Sequence, residues 1–374
     1  MEWKKLPEVC DIKTGKKDAN HAKENGKYRF YTCANHYSLC DTYSFSGESI
    51  IVPGNGDIGL VFYYDGDFEA YQRTYVLSNI KICAKYLYYY FVYKWRSQNT
   101  SKQFGSTVKY VRMQNFNDFI VPVPPFPEQQ RIVAKIEELF AELDNSVAML
   151  KKVKEQINQF NESLMEQIFQ QSDCSWEEYK LGDEKICSIN KNFNLPDFED
   201  EDIVSFLPMA AVEAKTNKFY PQTTTYGKVK KGYTKFRNGD VLFAKITPCM
   251  ENGKICIVND LIKDCGFGST EFHVLRCSEN LLPKFLYYFV SRENFLRRAV
   301  PYMTGSVGQK RMPSDYLAEQ KIKVPSIDVQ KQIINCVADK ISKSKSIDNI
   351  LDSVLVSCDA LRQSILKKAF GGEL

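Results

Sequence analysis

VPVPPFPEQQRIVAKIEELFAELDNSVAMLKKVKEQINQFNESLMEQIFQQ, residues 121–171, is the stretch on which the reading of the fold turns. Pro122, Pro124, Pro125 and Pro127, with Phe126 among them, close off what precedes. Proline locks φ, lacks an amide donor and biases its predecessor toward extended geometry. From Glu128 no proline or glycine occurs until Gly182. Apolar residues fall at Ile132, Ile136, Leu139, Leu143, Val147, Leu150, Val153, Ile157, Phe160, Leu164 and Ile168, always three or four apart. That spacing predicts one long helix with a single apolar seam. At 1.5 Å per residue it reaches about 60 Å, more than a globular domain needs. Glu128 places negative charge at the amino end, where the helix dipole favours it. An amphipathic core helix is the plainer alternative, but this length and seam favour a helix built to pair with another.

The rest of the chain sets bounds. A length of 374 residues suggests two or three domains. The 44% hydrophobic and 26% charged content are those of a soluble globular protein. No apolar run approaches the ~20 residues of a membrane span, and MEWKKLPEVC at the start lacks a hydrophobic signal region, so neither a membrane nor secretion is expected. The 12 cysteines are scattered and form no Cys-x-x-Cys, which predicts reduced thiols in a cytoplasmic protein. His21, His36 and His273 stand far from one another in sequence, so no metal site is expected. The net charge of +4 is small. Its distribution says more. Lys215, Lys218, Lys228, Lys230, Lys231, Lys235 and Arg237 follow one another with no acid between Ala214 and Gly239, while Asp197, Glu199, Asp200, Glu201 and Asp202 cluster upstream. A segregated basic tract suits a phosphate-facing surface. A solvated loop with surplus lysines fits it equally well.

The chain is written twice. Strand-like runs at 27–32, 49–52, 60–64 and 71–77 lead to an aromatic helical stretch at 85–96, a Gly105-Ser106 turn, an extended piece at 118–123 and the long helix. From Trp176 the order recurs. Trp176-Glu-Glu-Tyr answers Trp3-Lys-Lys-Leu, and Gly239-Asp-Val-Leu-Phe answers Gly47-Glu-Ser-Ile-Ile. Leu286 answers Leu87, Gly305 answers Gly105 and Val324 answers Val123, at offsets of 199, 200 and 201. The last offset carries on into a distal helix, matching Ile333 with Ile132, Val337 with Ile136, Leu351 with Leu150, Val354 with Val153, Leu361 with Phe160, Ile365 with Leu164 and Phe370 with Phe169. A module plus a helix has been duplicated in tandem. Expected is an α+β protein with mixed α/β modules at 1–127 and 172–327, a central helix at 128–171, and a distal helix with tail at 328–374. Each seam needs a partner and the other copy supplies one. An antiparallel coiled coil with a pseudo-two-fold relation follows. The second seam is poorer, with Ser344 and Asp348 where the first has Leu143 and Val147. Pairing is expected to weaken there, or another subunit to dock.

Catalytic motifs are thin. Gly54-Asn-Gly-Asp-Ile-Gly59 has the dinucleotide spacing but leads into Leu60-Val-Phe-Tyr-Tyr, strand-like where a helix is required. Pro124-Pro125-Phe126 has the frame of the adenine-N6 methyltransferase motif, but Val123 replaces the polar residue that accepts the target amine. Glu213-Ala-Lys215 is too common a triple to indicate a nuclease. The chain reads as a binder.

Pro124-Pro-Phe-Pro-Glu-Gln-Gln-Arg-Ile132, Val324-Pro-Ser-Ile-Asp-Val-Gln-Lys-Gln-Ile333, Lys245-Ile-Thr-Pro-Cys-Met-Glu-Asn-Gly-Lys254 and the terminal Lys368-Ala-Phe-Gly-Gly-Glu-Leu374 resemble the specificity subunit of type I restriction–modification systems, over nearly the whole chain. Asp328-Val329 departs from the family's Glu-Gln pair, and the first module has no Thr-Pro-Cys segment. The resemblance implies two target-recognition domains, each reading half of a bipartite, asymmetric site in double-stranded DNA, with the helix pair setting the spacer. It implies no chemistry and no cofactor in this chain. Two methyltransferase subunits would bind S-adenosylmethionine, and two restriction–translocase subunits would complete the assembly. The rival readings are a stand-alone adenine-N6 methyltransferase or nuclease, and a coiled-coil adaptor that binds no DNA.

Loops mixing cations with amides and hydroxyls reach phosphates and base edges. The DNA-contact candidates are Lys13, Lys16, Lys17, Lys27, Arg29, Arg73, Lys109 and Arg112 in the first module. In the second they are Lys228, Lys230, Lys231, Lys235, Lys245, Asn252, Lys254, Gln309, Lys310 and Arg311. Each also reads as an ordinary solvated side chain. The helix-pair candidates are Ile132, Ile136, Leu139, Leu143, Leu150, Val153, Ile157, Phe160 and Leu164 against Ile333, Val337, Leu351, Val354, Leu361 and Ile365. The aromatics at 86–91 and 285–289 are expected in the cores rather than stacked on bases.

Overall fold

The computed structural model describes residues 2–105, 108–170, 176–306 and 308–374. Ser106 of the first glycine–serine turn and Gln171 at the end of the quoted stretch lie outside them. The chain divides into two compact units, Met1–Lys151 with Leu351–Leu374, and Lys152–Ile350. The central helix, Phe126–Gln170, and the distal helix, Ile327–Gly371, each give one part to either unit.

In the first unit β1 (Glu2–Lys5) pairs antiparallel with β9 (Ile120–Val123), and the chain enters the central helix directly afterwards. A four-stranded sheet runs in the order β2 (Asp11–Thr14), β8 (Thr74–Ser78), β5 (Ser49–Pro53), β6 (Phe62–Tyr64). A three-stranded sheet runs β4 (Ser38–Cys40), β3 (Tyr28–Tyr31), β7 (Phe68–Ala70), with β3 and β7 parallel. The single strand expected at 71–77 is therefore two, β7 and β8. The polar Gln72-Arg73 interrupts it, and the Thr74 amide bonds back to Tyr71 O to close a turn. Strands β2 and β4 escaped the reading because they are short and lie at sheet edges.

The second unit repeats the plan. β10 (Glu177–Lys180) pairs with β19 (Lys321–Val324), placing Glu177 opposite Val324 as Glu2 lies opposite Val123. A four-stranded sheet runs β11 (Cys187–Ile189), β18 (Phe272–Cys277), β15 (Val241–Ala244), β16 (Ile255–Ile257). The other sheet runs β13 (Gln222–Thr225), β12 (Ile203–Leu207), β17 (Cys265–Gly268), β14 (Thr234–Arg237), one strand more than its counterpart, again with its parallel pair, β12 and β17.

The aromatic helix of the first unit, Ala84–Asn99, buries Tyr86, Tyr90, Phe91 and Trp95, and Tyr86 Oη donates to Pro122 O at 2.9 Å. Its counterpart, Pro283–Val290, is buried along its length from Phe285. The aromatics fill cores. A glutamine repeated at an offset of 201 locks each of these helices to its long helix. Gln129 Oε1 accepts the Cys83 amide (2.9 Å) while its Nε2 donates to Pro124 O (2.8 Å). Gln330 Oε1 accepts the Leu282 amide (2.8 Å) while its Nε2 donates to Pro325 O and Asn280 O. Both are buried, which polar side chains tolerate only when bonded as fully as this.

Within each unit the long helices run antiparallel. In the first, Ile132, Val133 and Ile136 pack with Leu366 and Ala369, Leu143 packs with Cys358 and Ile365, and Asp144 pairs with Arg362. In the second, Phe169 and Val337 share a core that Ile333 joins, and Ser344 Oγ donates to Asn161 Oδ1 at 2.9 Å. Leu139 and Leu150 pack beside Leu143, and Leu351 is buried. The seam is not closed throughout, which corrects four of the helix-pair residues. Val153 (41% exposed), Phe160 (58%), Val354 (40%) and Leu361 (49%) stay open. Val153, Ile157 and Phe160 line a groove of about 490 Å³ whose far wall is Asp339, Lys340, Lys343, Ser344 and Ile347. Those mostly polar side chains leave apolar surface uncovered. Leu361 lines a second groove with Leu139 and Leu143. Leu164 is half-buried beside Val337 and Ile341.

Candidate nucleic-acid interface

In each module the loop after the central strand of the four-stranded sheet is tied to a hairpin that lies between the aromatic helix and the long helix. After β5 the glycine-rich residues 54–59 form a loop, and no helix follows. Gly54 presses on the neighbouring turn, so that a Cβ there would stand 2.4 Å from Arg73 O. Gly56 takes φ +78°, open to glycine at no steric cost. The hairpin is closed by Phe104 and Tyr110, which exchange backbone bonds of 2.9 and 3.0 Å. Gly56 N then donates to Lys109 O and Val111 N to Gly54 O, stitching loop to hairpin. Arg112 lies over the Phe104 ring at 4.2 Å and donates to Tyr110 Oη at 3.0 Å. Lys109 and Arg112 are exposed here, and Arg73 joins them through its carbonyl, which accepts the Gly54 amide at 2.8 Å. Lys17 bridges to Tyr71 on the same turn.

The remaining first-module candidates lie elsewhere. Lys13 is exposed on the edge strand β2, and Lys16 is exposed just beyond it. Lys27 and Arg29 belong to the other sheet. Lys27 lies over Tyr28 at 5.2 Å. Arg29 is held between the Tyr37 and Tyr64 rings at 4.5 and 4.3 Å, a packing role as much as a charge at the surface.

The second module repeats the stitch with other residues. Thr304 and Arg311 close the hairpin (2.9 and 2.7 Å), Ile246 bridges to Arg311, and Thr247 N donates to Lys310 O at 2.9 Å. Lys310 N donates to Thr247 Oγ1 at 3.1 Å, so Thr247, missed in the sequence reading, supports the loop. Lys245, Asn252, Lys254, Gln309, Lys310 and Arg311 all belong to this loop–hairpin pair. Their side chains are not equally available. Lys254 Nζ donates to Met209 O at 3.1 Å. Arg311 makes two bonds to Glu271, of 2.9 and 2.8 Å, and the guanidinium holds that carboxyl below its usual range. Of the basic tract, Lys228 and Lys230 flank Val229, which packs with Val204 and Phe267, and Lys230 pairs with Asp200 at 2.8 Å. The upstream acids thus neutralise part of the tract. Lys228, Lys231 and Lys235 remain exposed.

No group of His, Cys, Asp or Glu that could hold a metal ion occurs among the described residues, every described cysteine is free, and no described helix is long and apolar enough to cross a membrane.

A family described as the type I restriction modification DNA specificity domain matches the chain twice, at residues 1–159 and 174–354. The chain is 26% identical, over 413 residues, to the type I restriction enzyme EcoDI specificity subunit of Escherichia coli, covering 100% of this chain and 89% of the other. To the EcoAI specificity subunit of Escherichia coli it is 36% identical over 183 residues, 48% of this chain and 30% of that one. A solved structure from a study of assembly and conformational transition in a type I R-M system superposes with a TM-score of 0.72 at 17% identity, covering 100% and 98% of the two chains. The HsdS subunit from Thermoanaerobacter tengcongensis superposes at 0.58 with 17% identity, covering 100% and 97%. At such identities these structures speak to the fold.

Proposed function

The chain belongs to the family of type I restriction–modification DNA specificity subunits, and from that premise we propose that it reads a bipartite, asymmetric site in double-stranded DNA, one half-site per module. The observation that carries this reading is the repeated stitch of loop to hairpin, built at the same place in both modules from different side chains. A scaffold held constant while the presented residues differ suits two heads that read different sequences. Lys109 and Arg112 serve the first head, and Lys245, Gln309 and Lys310 the second. The modules extend over 1–127 and 172–327, and the paired helices between and after them set the spacer.

The chain performs no chemistry. Two methyltransferase subunits that bind S-adenosylmethionine and two restriction–translocase subunits supply it in the cytoplasm. The open apolar positions along the helices, Met149, Val153, Phe160 and Val356 among them, support docking of those partners. A stand-alone methyltransferase is not favoured: Val123, where a polar acceptor would be required, is a strand residue paired with Glu2. Methylome sequencing of the host with and without this gene tests the reading. One two-part methylated motif should vanish on deletion. Loss of no motif overturns it.

A further inference from the structure

The second module contains a cavity of about 270 Å³ at the junction of the turn after β11, the start of β14 and the end of β15. Its floor is apolar, formed by Phe272 and Val274 of β18. Three lysines line it, Lys191, Lys235 and Lys245, and no acidic residue does. Lys191 pairs with Glu184 at 2.7 Å, but no ion pair occurs for Lys235 or Lys245 among the described residues. The acid nearest in sequence to the floor, Glu271, is engaged by Arg311. His273 behind the floor does not offset the charge. Burial holds its pKa below the usual value, so it is neutral, with Nε2 on Met312 O and Nδ1 on Asn190. Like charges gathered over an apolar floor repel one another, and an anion placed among them relieves the repulsion.

Size and position narrow the ligand. The cavity falls short of the ~300–1,000 Å³ of sites that enclose drug-sized molecules. It suits a single phosphate with an attached sugar, for which the Phe193 and Tyr233 rings offer apolar walls. It is also continuous with the loop–hairpin pair. The Lys245 amide bonds to Glu271 O, and its carbonyl accepts the Met312 amide at the base of the hairpin.

We propose that the cavity lined by Lys191, Lys235 and Lys245 grips one sugar–phosphate unit of the DNA strand and so sets the register of the second reading head. This rests on the DNA-reading function argued above. A phosphate grip carries no base information, but it fixes where the reading side chains fall.

The test uses the full chain assembled with its methyltransferase subunits, and duplexes carrying the methylome-defined site. A single neutral methylphosphonate is moved along the second half-site. The wild type should lose roughly tenfold in affinity at one position. The K235Q/K245Q variant, which keeps most of each stem, should show that loss on unmodified DNA and no further loss at that position. Its slope of log K against log salt should fall by about 1 to 2. The K235R/K245R variant should restore binding, separating charge from folding. Equal sensitivity of variant and wild type at every position overturns the proposal, as does wild-type affinity in the glutamine variant. Protection of the wild type by inorganic phosphate, with no position-specific methylphosphonate effect, assigns the cavity to a free anion and also overturns it. Failure of the wild type to discriminate any site would instead defeat the DNA-reading function itself.

Discussion

Asp240 is 1% exposed, and its carboxylate accepts two bonds from Arg276 (2.9 and 2.7 Å) and one from the Arg237 amide (2.9 Å). Arg276 also covers the Phe193 ring at 4.6 Å. Removing one member of such a pair strands a buried charge. Asp240→Ala should cost about 3–5 kcal/mol in urea unfolding, whereas replacing both partners by apolar residues should cost much less. His273 supplies a pH prediction. Its folded pKa lies below the usual 6.5 because burial disfavours imidazolium. The unfolded chain therefore takes up the proton first. The stabilisation is full above pH 6.5 and is lost as pH falls through 6.5 toward the lower folded value. Thermal melts across that window should show the loss in the wild type and a smaller one in His273→Gln. Neither role was legible in sequence. Asp240 sits in an ordinary Asn-Gly-Asp turn, and its partner stands in a strand 36 residues away.

At the scale of elements, the two glutamine latches set how each aromatic helix meets its long helix. Gln129→Leu and Gln330→Leu keep the volume but leave a buried amide and carbonyl unpaired. Each should destabilise its module by about 1–3 kcal/mol, with faster hydrogen exchange at Cys83 or Leu282. A melt unchanged by either substitution would remove the latch. The repeated Gln was visible in the sequence; its partners, 46 and 48 residues away, were not. The basic tract makes the opposite case. As a list of lysines it looked uniform, yet Lys230 is spent on Asp200 while Lys228 and Lys231 are open. Reversing those two, K228E/K231E, should weaken DNA binding and lower its salt slope. An unchanged slope would count against a DNA-facing role for that segment.

At the scale of the whole molecule, the proposal that the helix pair sets the spacer has a direct measure. Adding four residues to each long helix, after Lys151 and after Ile350 where the two compact units divide, lengthens it by about 6 Å. The methylated motif should shift its preferred spacer by about two base pairs at 3.4 Å each. Retention of the original spacer would separate spacing from helix length.

The sequence by itself determined the duplication, both long helices, the aromatic cores and the family. Each of these is written in residues a few positions apart or in a repeat at constant offset, and local periodicity dictates them. The tertiary structure alone decided which cations remain available, how far the seam closes, and that two unlike segments, Gly54-Asn55-Gly56 and Ile246-Thr247, hold the same place beside their hairpins. Those outcomes turn on hydrogen bonds and ion pairs between residues distant in the chain. No local pattern encodes which partner a charge will meet.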